Sequence, residues 1–204
     1  MSTTADSPFV RQLTLADLPA MVALFLRSKT EREVRAYLDG THGVAYGIVE
    51  GSALLAVSLL RVPDENHPNA GLPFPPVPEE EWSLWACFLE NTMVLPAARG
   101  RGYHRILLDA RLCHAASAEM RWICAGIHLQ NSVSWANLLA RGMAIAGIRF
   151  DLGYPIIGLL SSCDPVRSRP IQAIKHRFMR RIPHNIKPRC KTDTSEYASL
   201  LMAL

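Results

Sequence analysis

Short apolar runs alternate with amphipathic stretches along the chain, which is the pattern of strands that alternate with helices. The runs that predict strands are residues 9–13, 44–49, 53–60, 82–94, 122–130 and 144–160. Residues 50–52, Glu-Gly-Ser, indicate a hairpin between the second run and the third, and residues 151–155 divide the last run in two. We therefore predict an α/β fold with a mixed sheet of about six to seven strands flanked by helices, antiparallel at first and parallel across a central crossover.

Helix signals occupy the intervals between these runs. Two pairs have the spacing of a capping box, namely Thr14 with Asp17 and Thr30 with Glu33. The first helix is predicted to reach about residue 27 and the second to end at Gly40. Apolar spacing over residues 106–120 predicts a long helix, and residues 131–141 predict a short helix that Gly142 terminates.

Residues 88–108 are the most informative part of the chain, because a predicted strand, a glycine turn and a helix follow one another there. Pro96 ends the strand, since proline cannot donate to a ladder. The turn, residues 99–104, has the sequence Arg-Gly-Arg-Gly-Tyr-His. Glycines let the backbone approach an anion, and the first turn of a helix presents unpaired N–H groups and the positive end of its dipole. A phosphate site and a tight basic connection are both consistent with this turn alone.

Two kinds of nucleotide site are not expected. A dinucleotide fingerprint of the type Gly-x-Gly-x-x-Gly, counted from Gly100, would need a glycine where Arg105 stands. The chain contains no Gly-x-x-x-x-Gly-Lys-Ser/Thr sequence, so a Walker-type nucleotide site is not expected either.

The stretch FLENTMVLPAARGRGY resembles the central acyl-CoA signature of the GNAT superfamily of N-acetyltransferases, a Leu-Glu-Asp strand followed by Pro-x-x-Arg-Gly-x-Gly and a long helix. The pyrophosphate motif of that family is Gln/Arg-x-x-Gly-x-Gly/Ala, and Arg99 and Gly102 match its first two key positions. His104 stands at the third position, where a small residue is usual. A side chain therefore occupies a place where backbone normally comes close, and the same side chain offers a donor to phosphate.

Residues 131–143 carry a second resemblance, to the family segment Asn-x-x-Ala/Ser-x-x-x-Tyr-x-x-x-Gly-Phe, which helps to bind the pantetheine arm and the pyrophosphate. Leu138 stands where the family often has tyrosine, and Met143 stands where it has phenylalanine. The matching residues are Asn131, Ser134 and Gly142. Two motifs at this separation indicate the fold and the coenzyme more strongly than one motif, and they leave the acceptor open.

The resemblance covers about residues 9–160 and implies an N-acetyltransferase. Such an enzyme moves an acetyl group from its co-substrate acetyl-CoA to a primary amine of a small molecule or protein, by direct attack in a ternary complex. A longer-chain acyltransferase of the same fold and a non-catalytic acyl-CoA-binding or interaction module are the alternatives, and no metal is expected. The implied coenzyme-binding residues are Met93, Val94, Leu95, Arg99, Gly100, Arg101, Gly102, Tyr103, His104, Asn131 and Ser134.

Acyl transfer to an amine needs a base, because an amine with a pKa of about 10 is mostly protonated at neutral pH. Glu90 is the predicted catalytic base, in a Leu-Glu-Asn triplet that resembles the Leu-Glu-Asp of the family. Its apolar neighbours would shield the carboxylate from water and make it a stronger base. A strand-edge glutamate that faces solvent is the alternative. The resemblance places the oxyanion at a backbone N–H of residues 93–95.

The leaving thiolate lacks the proton donor that the family often supplies, because that position is Leu138. The candidate replacements are water, Tyr103, His128 and Tyr154. A thiolate with a pKa of about 8.5 is a tolerable leaving group, so turnover does not require a donor. His128 lies in an apolar run, and we expect it to be a core histidine.

The acceptor is expected to bind beneath the first two helices, as the resemblance implies. Arg32, Arg35 and Tyr37 are candidates to select it, although a solvated helix face is the more common reason for such residues. The proline-rich residues 66–78 predict a loop longer than a hairpin needs. This loop either reaches over the acceptor side or is a surface excursion.

Composition fits an ordinary soluble protein, with 49% hydrophobic and 20% charged residues. We expect neither a membrane span nor a signal peptide, because no run of 18 uncharged apolar residues occurs and the first residues lack a basic region followed by an apolar one. The five cysteines are odd in number and widely spaced: Cys87, Cys113, Cys124, Cys163 and Cys190. They predict a reducing, cytoplasmic location and no disulfide framework or CxxC metal site.

Charge divides the chain into two parts. Residues 1–164 carry 13 Lys and Arg against 16 Asp and Glu, whereas residues 165–204 carry 9 against 2. We predict a GNAT-like acyl-CoA-binding domain over residues 1–164 and a basic, helical C-terminal extension over residues 165–204. The extension is expected to pack on the acidic domain or to form a homodimer contact. Another partner, nucleic acid and an acidic membrane surface are the less favoured alternatives.

Overall fold

The computed structural model describes most of the chain up to residue 162. The described residues are 7–25, 28–63, 85–151 and 154–162. From residue 146 onwards the description covers the backbone and not the side chains. The predicted loop at 66–78, the basic extension at 165–204 and the last two cysteines, Cys163 and Cys190, lie outside the described residues. Of the helices that the structure describes, none is long and apolar enough to cross a membrane.

Seven strands form one mixed sheet. They are β1 (Phe9–Gln12), β2 (Gly43–Glu50), β3 (Ala53–Arg61), β4 (Ala86–Val94), β5 (Trp122–His128), β6 (Ala144–Asp151) and β7 (Tyr154–Ser162). Their order across the sheet is β1-β2-β3-β4-β5-β7-β6. Neighbouring strands are antiparallel except for β4 and β5, which are parallel. The predicted mixed sheet of six to seven strands with a central parallel crossover is confirmed.

Two irregularities shape the centre of this sheet. Ser58 and Leu60 of β3 pair with Thr92 and Leu89 of β4, so two residues of β4 lie opposite a single residue of β3, which is a β-bulge. The second irregularity is the short parallel pairing of β4 with β5, which runs from Ala86 to Phe88. Past this pairing the two strands no longer share hydrogen bonds, and both features fall beside the predicted catalytic residue.

Among the described residues, four α-helices cover the sheet: α1 (Leu18–Phe25), α2 (Glu31–Leu38), α3 (Tyr103–Ser117) and α4 (Ser132–Ala140). Both predicted capping boxes are confirmed. The Thr30 N–H donates to the Glu33 carboxylate at 2.7 Å, and the Thr14 N–H donates to Asp17 at 2.9 Å. The Asp17 carboxylate also accepts two hydrogen bonds from Arg11. These bonds lower the pKa of Asp17 and connect β1 to the turn before α1.

The sheet separates two apolar layers, because successive side chains of a strand point to opposite faces. On one face, Met21 and Phe25 of α1 and Val34 of α2 pack against Val57 and Leu59 of β3. On the other face, Leu107 and Leu108 of α3 pack against Ala56 and Leu60 of the same strand. Helix α3 is therefore held by a fully buried stripe, which fixes where its N-terminus lies.

We predict that Leu108→Ala lowers the free energy of unfolding by about 2 to 5 kcal/mol, because it opens a cavity in the α3 layer. Ile106, on the same helix, is 42% exposed, whereas Leu108 is completely buried. Ile106→Ala is the matched control and should change the same quantity by less than about 1 kcal/mol. Urea denaturation followed by circular dichroism measures both, and equal effects would contradict the assigned burial of α3.

Candidate active site

A cleft opens where β4 and β5 diverge. The strands pair from Ala86 to Phe88 and part towards their carboxyl ends, and the cleft has a volume of about 970 Å³. Helix α3 contributes Tyr103, His104, Arg105 and Arg111 to its lining, and α4 contributes Val133, Ser134, Asn137 and Leu138. Ligands of open α/β sheets bind at the carboxyl ends of diverging strands, so this cleft is the candidate active site.

Most residues predicted from the two sequence motifs lie together in this cleft. Its lining includes Glu90, Met93, Val94, Arg99, Gly100, Gly102, Tyr103, His104, Asn131 and Ser134. Leu95 and Arg101 were also predicted to bind the coenzyme, and they are not among the lining residues. The N–H of Leu95 donates to the carbonyl oxygen of Leu55 at 2.9 Å, so the sheet edge already uses this amide.

The amides of β4 point alternately to its two neighbours in the sheet. Because the Leu95 N–H points to the β3 side, the Met93 N–H does so too, and the amides of Thr92 and Val94 point away from β3. On that side β5 has diverged, so these two amides face the cleft. An oxyanion donor was predicted among the N–H groups of residues 93–95. Of these three, the N–H of Val94 is the one that faces the cleft.

The glycine turn needs glycine for its backbone conformation. Gly100 and Gly102 have φ of 80° and 78°, the left-handed region that disfavours side chains. A methyl group on either residue would meet no heavy atom within 4 Å among the described residues, so the faces of both glycines are open. Gly102 is the N-cap of α3, and the next amides, of Tyr103 and His104, belong to the first helical turn, where N–H groups have no intrahelical acceptor.

Positive charge surrounds this turn. Arg99, Arg101 and Arg105 are exposed, and the first turn of α3 contains no acidic residue. Arg99 donates from Nε to the carbonyl oxygen of Val94 at 3.4 Å, which folds it back over the end of β4. The helix dipole adds to these charges, so the rim of the cleft favours an anion.

His104 lies inside this rim. Its Nδ1 atom is buried and has no hydrogen-bond partner among the described residues. Burial lowers the pKa of His104, and the positive charge of Arg111 lowers it further. The ring is therefore uncharged at neutral pH.

Asn131 and Ser134 form the other edge of the cleft. The Ser134 N–H donates to the Asn131 side-chain oxygen at 3.2 Å, so Asn131 caps α4. Within the described part of the chain, no group of His, Cys, Asp and Glu side chains has the arrangement of a metal site.

Glu90 projects to the side of the sheet that α1 and α2 cover. Its Oε2 atom accepts a hydrogen bond at 3.2 Å from Lys29 Nζ, in the loop between these helices, and the two side chains are 24% and 12% exposed. Glu90 is thus partly shielded from water, and its carboxylate has a fixed neighbour. The sequence analysis missed Lys29, because a lysine in a loop gives no signal of an ion pair with a residue 61 positions away.

Tyr37 is the third member of this group. It is 2% exposed, and Lys29 Nζ lies 5.6 Å from the centre of its ring. Burial raises the pKa of Tyr37, and the charge of Glu90 and a hydrogen bond to it raise it further, so the phenol stays protonated. The expectation that Tyr37 lies on a solvated helix face was therefore wrong. The same expectation is confirmed for Arg32 and Arg35, which are exposed.

The proposed replacements for the family tyrosine lie in different surroundings. His128 is exposed at the end of β5 and lines the cleft, so the expectation of a core histidine was wrong. The reason is that β4 leaves β5 before this residue and no longer covers it. Tyr103 is 6% exposed and packs in the α3 layer, and Leu138 is also buried at the cleft wall. The Tyr154 side chain lies outside the described part of the structure.

Arg111 is a lining residue that the sequence analysis missed. It is 2% exposed, two turns along α3 from His104. Its Nη1 donates to the carbonyl oxygens of Leu59 at 3.1 Å and Glu90 at 3.0 Å, and its Nη2 donates to Thr92 Oγ1 at 3.2 Å. The available signal was its position four residues after Leu107, on the apolar stripe of a predicted helix.

Sequence and structure were both compared with those of known proteins, and similarity was found in structure alone. No family model matches the sequence, and no curated protein is significantly similar to it. A solved N-acetyltransferase from Staphylococcus aureus Mu50 is 16% identical, with a TM-score of 0.60 over 78% of this chain and 100% of the other. The ribosomal-protein-S18-alanine N-acetyltransferase from Escherichia coli is 15% identical, with a TM-score of 0.61 over 78% and 95%. Arabidopsis thaliana NAA60, solved in complex with acetyl-CoA, is 9% identical, with a TM-score of 0.62 over 76% and 98%.

The lowered pKa of His104 predicts a pH dependence of stability. Unfolded histidine has a pKa of about 6.5, and the folded value lies below it. The unfolded state therefore binds more protons as the pH falls through 6.5, and the free energy of unfolding decreases on acidification from pH 7.5 to pH 5.5. The variant His104→Gln should lose part of this decrease. Urea denaturation at several pH values measures it, and an identical pH dependence in both proteins would contradict the prediction.

Proposed function

Because the chain has the fold of the GNAT N-acetyltransferases, we propose that it transfers an acetyl group from acetyl-CoA to a primary amine in a ternary complex. The observation that carries this proposal is the cleft between β4 and β5, with an open glycine turn and a helix N-terminus at its rim. These features together suit a long ligand that has a diphosphate at one end and an acyl group at the other.

The diphosphate of acetyl-CoA fits the rim. The amides of Gly102, Tyr103 and His104 would donate to its oxygens, and Arg99 and Arg105 would supply charge. The uncharged His104 ring would offer one further polar atom at this place.

The pantetheine arm fits the side of β4 that β5 has left. The amides of Thr92 and Val94 face the cleft there, so the arm would add to β4 as a short extra strand. This brings the thioester beside the bulge, close to Glu90. The Val94 N–H would then donate to the carbonyl oxygen on which negative charge develops.

Glu90 would act as the base from the α1 and α2 side. It takes a proton from the ammonium group of the acceptor, and the free amine attacks the thioester carbon. The N–C bond forms, the C–S bond breaks, and the sulfur leaves with the bonding electrons. Once Glu90 has released the first proton to solvent, it takes the second proton from the nitrogen, so the product is a neutral amide. Lys29 and Tyr37 hold the Glu90 carboxylate in one orientation before the acceptor arrives.

A second candidate is a module that binds acyl-CoA without catalysis, and Leu138 favours it because leucine cannot protonate a thiolate. Release of free thiol from acetyl-CoA with a panel of amines separates the two. Binding without thiol release would identify the module. A series of acyl-CoAs of increasing chain length tests the longer-chain alternative in the same assay.

We predict that Gly102→Asp abolishes acetyl-CoA binding, because it places charge and bulk against the diphosphate. Gly40→Asp is the matched control, since Gly40 has a similar φ of 85° and an equally open face but does not line the cleft. Isothermal calorimetry should show a loss of at least about 100-fold in affinity for the first variant and little change for the second. Equal binding by both variants would contradict the assigned phosphate site.

We predict that Glu90→Gln lowers kcat at pH 7 by about 100-fold or more and leaves the Kd for acetyl-CoA within about threefold. Removing the base slows proton transfer but takes no contact from the coenzyme. Glu31→Gln, at a side chain that is 61% exposed, is the control for the same substitution and should keep full activity. If Glu90→Gln turned over normally from pH 6 to pH 9, another group would have to be the base.

A further inference from the structure

Arg111 is a buried cation with uncharged partners. Its guanidinium donates to three carbonyl oxygens, those of Leu107, Leu59 and Glu90, and to the hydroxyl of Thr92. Among the described residues, no carboxylate pairs with it. Burial of a charge without an opposite charge is costly, so the position of Arg111 calls for an explanation.

A structural role accounts for part of this arrangement. The β-bulge of β4 removes ladder partners from the carbonyl groups of Leu59 and Glu90, and Arg111 supplies donors to both. Buried carbonyl groups need donors, but they do not need a positive charge. The charge itself therefore calls for a second explanation.

The cleft provides that explanation. Arg111 lines it directly beneath the segment of β4 that runs from Glu90 to Thr92, where the proposed function places the thioester. A guanidinium has five N–H donors, and the bonds to its four partners leave one N–H of Nη2 uncommitted among the described residues. Leu138, another lining residue, offers no proton to a departing sulfur.

We propose that the Arg111 guanidinium binds the sulfur of the coenzyme as a thiolate and so stabilises the leaving group without protonating it. This inference rests on the proposed acyl transfer. As the amine nitrogen bonds to the acyl carbon, the C–S bond breaks and its electron pair stays on sulfur beside the cation. The nitrogen loses one proton before the attack and a second as the amide forms, and each passes through Glu90 to solvent. The product thiolate then leaves the cleft and is protonated in water.

The charge state of Arg111 is compatible with this role. Burial lowers the pKa of Arg111 to about 10, so the side chain stays cationic at neutral pH. The titratable groups around it are His104 on its own helix, Cys87 and Glu90 on β4, and His128 across the cleft. An ordinary thiol has a pKa of about 8.5. Beside the positive charge of Arg111, the thiol of bound CoA should have a lower pKa than the thiol of free CoA.

The test compares two ligands on the full-length wild-type protein between pH 6 and pH 9. One is CoA, and the other is desulfo-CoA, in which hydrogen replaces the thiol group. The ratio of their Kd values cancels every contact except the one made by sulfur. We expect the affinity for CoA relative to desulfo-CoA to rise about five- to tenfold across this range, because only CoA forms a thiolate. A ratio that does not change with pH overturns the proposal.

Variants then assign the effect to Arg111. Arg111→Lys keeps the charge and should keep most of the pH-dependent gain, whereas Arg111→Gln keeps hydrogen-bond donors and should lose the gain. A purely structural role would weaken the binding of both ligands equally in both variants. Arg121→Gln, which removes an exposed arginine outside the cleft, should keep the gain in full. Retention of the gain in Arg111→Gln also overturns the proposal.

The outcomes separate this inference from the proposed function. If the wild-type protein binds neither ligand, the proposed function fails and the inference with it. If it binds both ligands with the same pH dependence, the inference alone fails. Should Arg111→Gln not fold, the wild-type ratio still decides, since it needs no variant.

Discussion

The separation of β4 from β5 is the constraint on which the rest of the site depends. A parallel pair that stops at Phe88 leaves one edge of β4 without a neighbouring strand, and the backbone groups there still need partners. On the β3 side, the bulge leaves carbonyl groups that Arg111 satisfies from below. On the cleft side, the amides of Thr92 and Val94 remain available to a ligand. One interruption of the ladder therefore creates both the cavity and the donors that line it.

The rim of the cleft depends on a different property of the chain. Gly100 and Gly102 bring the backbone through the left-handed region twice within three residues, which turns the chain from the end of β4 into α3. The buried stripe of α3 then fixes the direction of the helix dipole relative to the sheet. The packing of α3 against the sheet thus directs the unpaired amides at its N-terminus towards the cleft. The polar site is precise because an apolar layer holds it.

Local signals made the fold and the rim predictable from the sequence. The capping boxes at Thr14 and Thr30 act within one turn, and the glycine turn and Asn131 announce helix starts in the same way. The contacts that could not be predicted join distant segments. Lys29 reaches Glu90 across 61 positions and Arg111 reaches Leu59 across 52, and neither pair has a pattern in the sequence. His128 was misplaced because its run looks buried, while the divergence that uncovers it is a property of the sheet.

Glu90 is held from both faces of the sheet at once. The α3 side binds its carbonyl oxygen through Arg111, and the loop before α2 binds its carboxylate through Lys29. Glu90 thus contacts both sides of the sheet, one through its side chain and the other through its backbone. In the proposed reaction, an acceptor that displaces Lys29 would act on the strand against which the coenzyme lies, and the coenzyme would then change the affinity for the acceptor by the same factor. The two proposed substrate sites would then be linked through the single residue Glu90.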